Sequence, residues 1–339
     1  MLKFFLYMNQ GKQKLIFYFT FIAIGIYFAE VVSTNMPYAL LHPLMYPAYG
    51  LLYIFFIDTL IRYNCYCIKN WYIFGALVGL ITETYVAKVT FHGAGGENIQ
   101  FLGVDIGAVL FIILFYHAWF SFIIPSYFAK RVLKMPLPII EKRFFDIFFL
   151  FIPLFLLPIS VQKSLNIGIS ALLILMSFSG IIFILSCYIL KKTGPIKNIL
   201  LTVTEKKILF LVTLLIYSFF FIFGTNHLAH NKAPLDFPPG SMFLLTFVII
   251  MYLILNIRSV KKSNEITEIS YNPNLINIRL VVTWIVFHIS ATGVLIASLH
   301  VFIIPILKFL TLLFGLLGIS VSIYMLTSST FYILNQKKM

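Results

Sequence analysis

Long apolar runs, broken at short intervals by clusters of lysine, arginine and turn residues, fill the chain from about residue 15 onwards. A helix needs about 20 apolar residues to cross about 30 Å of hydrocarbon. Segments near 15–33, 44–62, 71–91, 103–127, 144–160, 168–190, 207–225, 241–257, 279–299 and 303–333 meet that demand. The alternating polarity of a membrane β-strand is absent from them. Helices also pair every backbone N–H and C=O internally, as lipid requires. The expected fold is therefore all-α: a polytopic transmembrane helix bundle of about ten spans, forming one integral domain over 1–339. Residues 1–135 hold spans 1–4 and 136–339 hold spans 5–10. The fifth span is short and carries Pro153 and Pro158, which predict a kink.

Composition agrees with the pattern. Apolar residues make up 61% of the chain and charged residues 11%, against about 45–50% and 25% in soluble domains. The lipid bilayer is the partner this implies. The formal charge of +14 does not indicate nucleic acid, because the cations form no single patch. They fall in alternate loops: Lys3, Lys12, Lys14; Arg62, Lys69; Lys130, Arg131, Lys134, Lys142, Arg143; Lys191, Lys192, Lys197, Lys206, Lys207; Arg258, Lys261, Lys262, Arg279; Lys337, Lys338. Only Lys88, Lys163, Lys232 and Lys308 fall elsewhere among the 25. Cytoplasmic loops carry such an excess, so both termini are expected in the cytoplasm and the protein in the cell membrane. The first run exceeds a signal-peptide core and no small-x-small cleavage site follows it, so it is read as a retained span. Cys65, Cys67 and Cys187 have neither zinc nor thioredoxin spacing and read as free thiols.

Charges inside a bilayer are costly and mark function or structural pairing. Glu30 falls near the outer end of span 1, Glu83 well inside span 3 and His117 inside span 4. Gly75, Gly79 and Glu83 share one helical stripe, and small residues at that spacing let helices approach. Glu83 is thus expected to face protein. Spans 3 and 4 are joined by a short loop, which places them as antiparallel neighbours with Glu83 and His117 at comparable depth. A buried carboxylate beside an imidazole can activate water, relay a proton or hold a metal. A neutral Glu83 hydrogen-bonded to a neighbouring helix is the structural alternative. Asp58 is accounted for by Arg62 at i+4, and Lys88 and Asp105 by reach to the outer surface.

Weaker features complete the picture. His92 to Glu97 lacks the Gly-Lys-[Ser/Thr] ending of a phosphate loop and reads as an outer turn. His227 and His230 stand at i, i+3 but without a third ligand, which is a poor metal site. His288 and His300 read as polar packing residues. Pro234, Pro238 and Pro239 read as a constrained outer loop. No cofactor or metal is assigned.

The stretches Ala29–Pro37, Tyr49-Gly50 through Leu60-Ile61-Arg62, Gly79-Leu80-Ile81-Thr82-Glu83, and His117-Ala118-Trp119-Phe120-Ser121 with Pro125 resemble a group of uncharacterised prokaryotic multi-span membrane proteins. That group carries a Glu-Glu pair in the third span and a His-Ala-x-x-Ser segment in the next. The layout also looks distantly like the CPBP intramembrane proteases, related to the CAAX-processing enzymes. Their pattern is Glu-Glu-x-x-x-Arg, Phe-x-x-x-His and His-x-x-x-Asn. Here Thr82 replaces the first Glu, Ala87 the Arg and Ile113 the Phe, while His227 and Asn231 lie far downstream. The resemblance implies a membrane-embedded hydrolase-like protein, degenerate at its first carboxylate, with Glu83 as base, His117 as partner and Glu30 as a further catalytic candidate. A small-solute or proton-coupled transporter and a non-catalytic assembly protein are the other readings.

Overall fold

The computed structural model describes residues 9–32, 36–86, 100–101, 104–139, 152–153, 156–223, 246, 248–250, 265–299 and 303–335. In chain order the α-helices are α1 (Gln10–Ile26), α2 (Met45–Arg62), α3 (Ile68–Ile81), α4 (Ile124–Leu133), α5 (Leu157–Ile167), α6 (Ile169–Lys192), α7 (Val203–Phe223), α8 (Ile278–Leu299) and α9 (Ile303–Asn335). Three π-helical segments interrupt them: Tyr27–Val32 after α1, Thr82–Val86 after α3, and Ala108–Ile123 before α4. Two short strands, β1 (Gln100–Phe101) and β2 (Val104–Asp105), pair antiparallel with Gln100 opposite Asp105.

Among the described residues the fold is all-α apart from that ladder. Among the described residues, Gln10–Val32, Val109–Leu133, Ile169–Lys192 and Ile278–Ser298 are each long and apolar enough to cross a membrane. They differ in surroundings. The apolar window of Gln10–Val32 is 83% buried, whereas that of Ile278–Ser298 is 33% buried. The first is therefore enclosed by protein, while the second offers most of its surface to the surrounding solvent or lipid.

Edges differ from expectation where local chemistry intervenes. The helical run expected over 103–127 continues to Leu133. Pro125, which lacks an N–H, lies where the wider π-helical ladder gives way to α4. Of the run expected over 144–160, residues 144–151 and 154–155 lie outside the described residues; α5 starts at Leu157 with Pro158 in its first turn, where a proline is preorganised. No loop follows α5. Gly168 alone, at φ 83°, separates it from α6, a left-handed conformation that glycine adopts without a Cβ penalty. Lys163 accordingly sits within a helix. Lys88, the 92–97 turn, His227, His230, Asn231, the prolines at 234, 238 and 239, and most of the 241–257 run lie outside the described residues, as does His300.

The chain forms two compact units of interleaved segments. The first comprises 1–46, 124–200 and 266–314. Here α1 and α8 pack on α6, and α5 packs on α8. Its core is aromatic: Tyr27, Phe28, Phe128, Phe183 and Trp284 have ring centroids 4.9 to 6.4 Å apart. The polar start of α1 ties down the segment after α6. Gln13 donates to the Thr193 carbonyl (2.7 Å), Lys14 to Leu200 (2.9 Å) and Tyr18 to Ile199 (3.1 Å). That segment also meets residues 269–271 through paired backbone bonds between Ile196 and Tyr271. Carbonyls without a helical partner are thus satisfied at the basic end of the unit.

The second unit comprises 47–123, 201–265 and 315–339. Its strongest packing sets α3 against the Ala108–Ile123 segment. A Cβ on Gly75 would stand 2.9 Å from the Ala118 carbonyl oxygen and 3.0 Å from both Ala118 Cα and Phe122 Cβ. Only hydrogen fits there, so Gly75 lets these two helices approach closely.

Candidate functional site

The three acid and imidazole candidates share an unexpected backbone setting. Glu30 lies in the π-helical segment Tyr27–Val32, Glu83 in Thr82–Val86 and His117 in Ala108–Ile123. Such widened turns recur at functional sites. Glu83 and His117 both belong to the second unit and meet there. Glu83 Oε1 lies 2.8 Å from His117 Nε2, with the residues only 5% and 3% exposed. On the other side of the ring, His117 Nδ1 lies 2.9 Å from the Ser121 hydroxyl, which is wholly buried. The three groups form one line. With Glu83 as a carboxylate and the imidazole neutral, Nε2–H donates to Glu83 and Nδ1 accepts from the Ser121 O–H.

The surroundings hold the imidazole in place. Tyr116 meets the ring edge-on at 5.5 Å, and Tyr49 of α2 lies tilted at 6.1 Å. The Gly75 contact at Ala118 fixes the backbone one residue from His117. Thr82 and Thr84, which flank Glu83, are buried; Thr82 faces the Tyr217 hydroxyl, and the Thr84 hydroxyl has no hydrogen-bond partner among the described residues. Tyr217 of α7 donates to the Ala48 carbonyl within the same unit.

Glu30 belongs to the first unit and is 5% exposed. His288, in the same unit, is wholly buried and stacked on Trp284 at 5.6 Å and 10°. Its ring also faces the Val32 backbone in the same unit.

Asp58 is the second charged centre of the second unit. It is 0% exposed and takes more than the expected Arg62 contact. Its carboxylate accepts from Lys206 Nζ at 2.7 Å, Leu201 N–H at 2.6 Å, and Arg62 Nε and Nη2 at 3.3 and 3.4 Å. Arg62 also donates to the Leu201 carbonyl (2.6 Å) and to Glu265 (3.3 Å). The end of α2 is thereby clamped to the entry of α7. Asp105, 3% exposed, sits on β2 ahead of the π-helical segment.

Among the described residues, no three His, Cys, Asp or Glu side chains gather as metal ligands would. Cys65, Cys67 and Cys187 are free thiols. The site residue that sequence spacing left without a role is Ser121. It closes the His-Ala-x-x-Ser segment four residues after His117, and on a helix that spacing brings the two side chains together.

No curated protein and no solved structure matches the chain. A family model does match, over residues 19–335. That span takes in Glu30, Glu83, His117 and Ser121 together with the described helices from α2 to α9. On that match the chain belongs to an uncharacterised membrane protein family.

Proposed function

We propose that this chain is a ten-span protein with both ends in the cytoplasm, acting as a proton-coupled transporter of a small solute. Glu83 and His117 hold the coupled proton. The observation that carries the reading is the enclosed Glu83–His117–Ser121 line of the second unit. Such acid and imidazole chains relay protons in membrane pumps and transporters. The helical interruptions at Glu30 and Glu83, one in each unit, support it further.

The test is electrophysiology on solid-supported membranes with the reconstituted full chain. Pools of amino acids, sugars, nucleosides and organic acids are applied with and without a proton gradient. A gradient-dependent current that disappears in Glu83→Gln and in His117→Ala is expected. Currents from every pool that ignore the gradient and both substitutions would contradict the proposal.

A second reading is favoured by Ser121. Carboxylate, imidazole and hydroxyl occur in sequence as in nucleophilic hydrolases, with the two ring nitrogens exchanged, and the layout resembles the CPBP proteases. In that reading Glu83 and His117 activate water or Ser121 in a membrane-embedded hydrolase. Cleavage of quenched membrane substrates by wild type, lost in Glu83→Gln, would favour it over transport.

A further inference from the structure

At the basic end of the first unit a cavity of about 360 Å³ opens between the last turn of α6 and the first turn of α8. Tyr188, Lys191, Lys192, Asn277, Ile278 and Arg279 line it. Three of these six side chains are cations and none is an acid. We propose that this cavity binds a phosphate-bearing anion, the headgroup of an anionic phospholipid. The site is separate from Glu83 and His117 and does not depend on proton coupling.

Four observations support a headgroup. First, the cations are arranged with hydrogen-bonding capacity to spare. Lys191 Nζ donates to the Ile276 carbonyl at 2.7 Å, which uses one of its three N–H groups. Lys192 Nζ lies 5.4 Å from the Tyr188 ring centre, held over an aromatic face. Second, Asn277 accepts from Leu280 N–H at 3.2 Å and so caps α8. The positive end of that helix dipole is directed at the cavity. Third, the depth fits. The 24 residues of α6 span about 36 Å against about 30 Å of hydrocarbon, which sets Lys191 and Lys192 at headgroup level.

The fourth observation separates a lipid from a free phosphate. Ile174, Phe178, Ile181, Leu185 and Tyr188 are all exposed, and their spacing alternates between four and three residues. They make one apolar stripe along α6 that ends at the cavity wall. Acyl chains can lie along that stripe while the phosphate enters among the cations. Basic pockets between transmembrane helices bind anionic headgroups in this manner.

The experiment uses native mass spectrometry of the purified full chain with phosphatidylglycerol or phosphatidylcholine. Wild type is compared with a Lys192→Gln/Arg279→Gln double variant and with Lys197→Gln, an exposed cation outside the cavity. Wild type and Lys197→Gln should retain phosphatidylglycerol preferentially. Each cation near a headgroup contributes enough that losing two should weaken retention roughly tenfold to thirtyfold. Raising the salt should also erode the preference of wild type, without any substitution. Equal retention of both lipids by wild type, or an unchanged preference in the double variant, would overturn the proposal. Inorganic phosphate is tested separately by thermal shift in neutral detergent. A stabilisation lost in the double variant, with no lipid preference, would overturn the lipid and leave a free-phosphate site.

Discussion

Removing the Asp58 carboxylate should be the most damaging single change in the second unit. Asp58 accepts from two cations and one backbone N–H while wholly buried. Deleting one partner of a buried ion pair costs about 3–5 kcal/mol, because the surviving charge stays desolvated. Two features lower the expected figure here. The Lys206 side chain is 29% exposed and can turn to water, and Arg62 keeps Glu265 and the Leu201 carbonyl. We therefore expect about 3 kcal/mol for Asp58→Ala. Asp58→Asn should cost about 2 kcal/mol, since it still accepts from Leu201 N–H. At roughly 2–3 °C per kcal/mol for a chain of this size, Asp58→Ala should lower Tm by about 6–9 °C. Unfolding in mild detergent can be followed with a thiol-reactive dye, which reports release of the buried Cys65 and Cys187. A double-mutant cycle should give a larger coupling for Asp58 with Arg62 than with the more exposed Lys206. An Asp58→Ala variant within about 1 °C of wild type would refute the reasoning.

Other predictions follow from single contacts. Gly75→Val should destabilise by about 1–3 kcal/mol, because its Cβ meets the Ala118 backbone at 2.9 Å. Thermal unfolding checks this, and the same push beside His117 should reduce any Glu83-dependent activity. Burial pushes the Cys65 thiol up to about 11, so little thiolate forms near neutral pH and reactivity rises only as pH approaches that value. Maleimide labelling of the native protein should therefore fall in Cys67→Ser and stay unchanged in Cys65→Ser. Reporter fusions within the Lys130–Arg143 and Lys191–Lys207 connections should report the same face of the membrane. Opposite faces would overturn the proposed topology.

The apolar runs made most of the fold legible. Runs of about 20 residues with basic ends allow little but membrane helices, and α2, α6 and α8 fall within a few residues of their expected places. The short loop between spans 3 and 4 made the contact between α3 and the His117 segment legible, and Gly75 is where the two approach most tightly. The π-helical turns were not legible. Widening a helix by one residue per turn leaves apolar periodicity inside a uniformly apolar run almost unchanged. The Asp58 clamp was half legible. Arg62 four residues away is a local pattern, but Lys206, Leu201 and Glu265 arrive through tertiary packing. The α5–α6 junction was missed because one glycine at φ 83° replaces the loop that an apolar-to-polar change usually marks.

The hydrogen bond between Glu83 and His117 is directly measurable in a membrane. Magic-angle-spinning NMR of the protein, ¹⁵N-labelled at histidine and reconstituted in liposomes, can observe it, with His117→Asn assigning the resonance. The account predicts that the His117 Nε2 signal shifts on Glu83→Gln, while Ser121→Ala moves only Nδ1. A His117 spectrum indifferent to both substitutions would mean that the buried line does not exist in the bilayer.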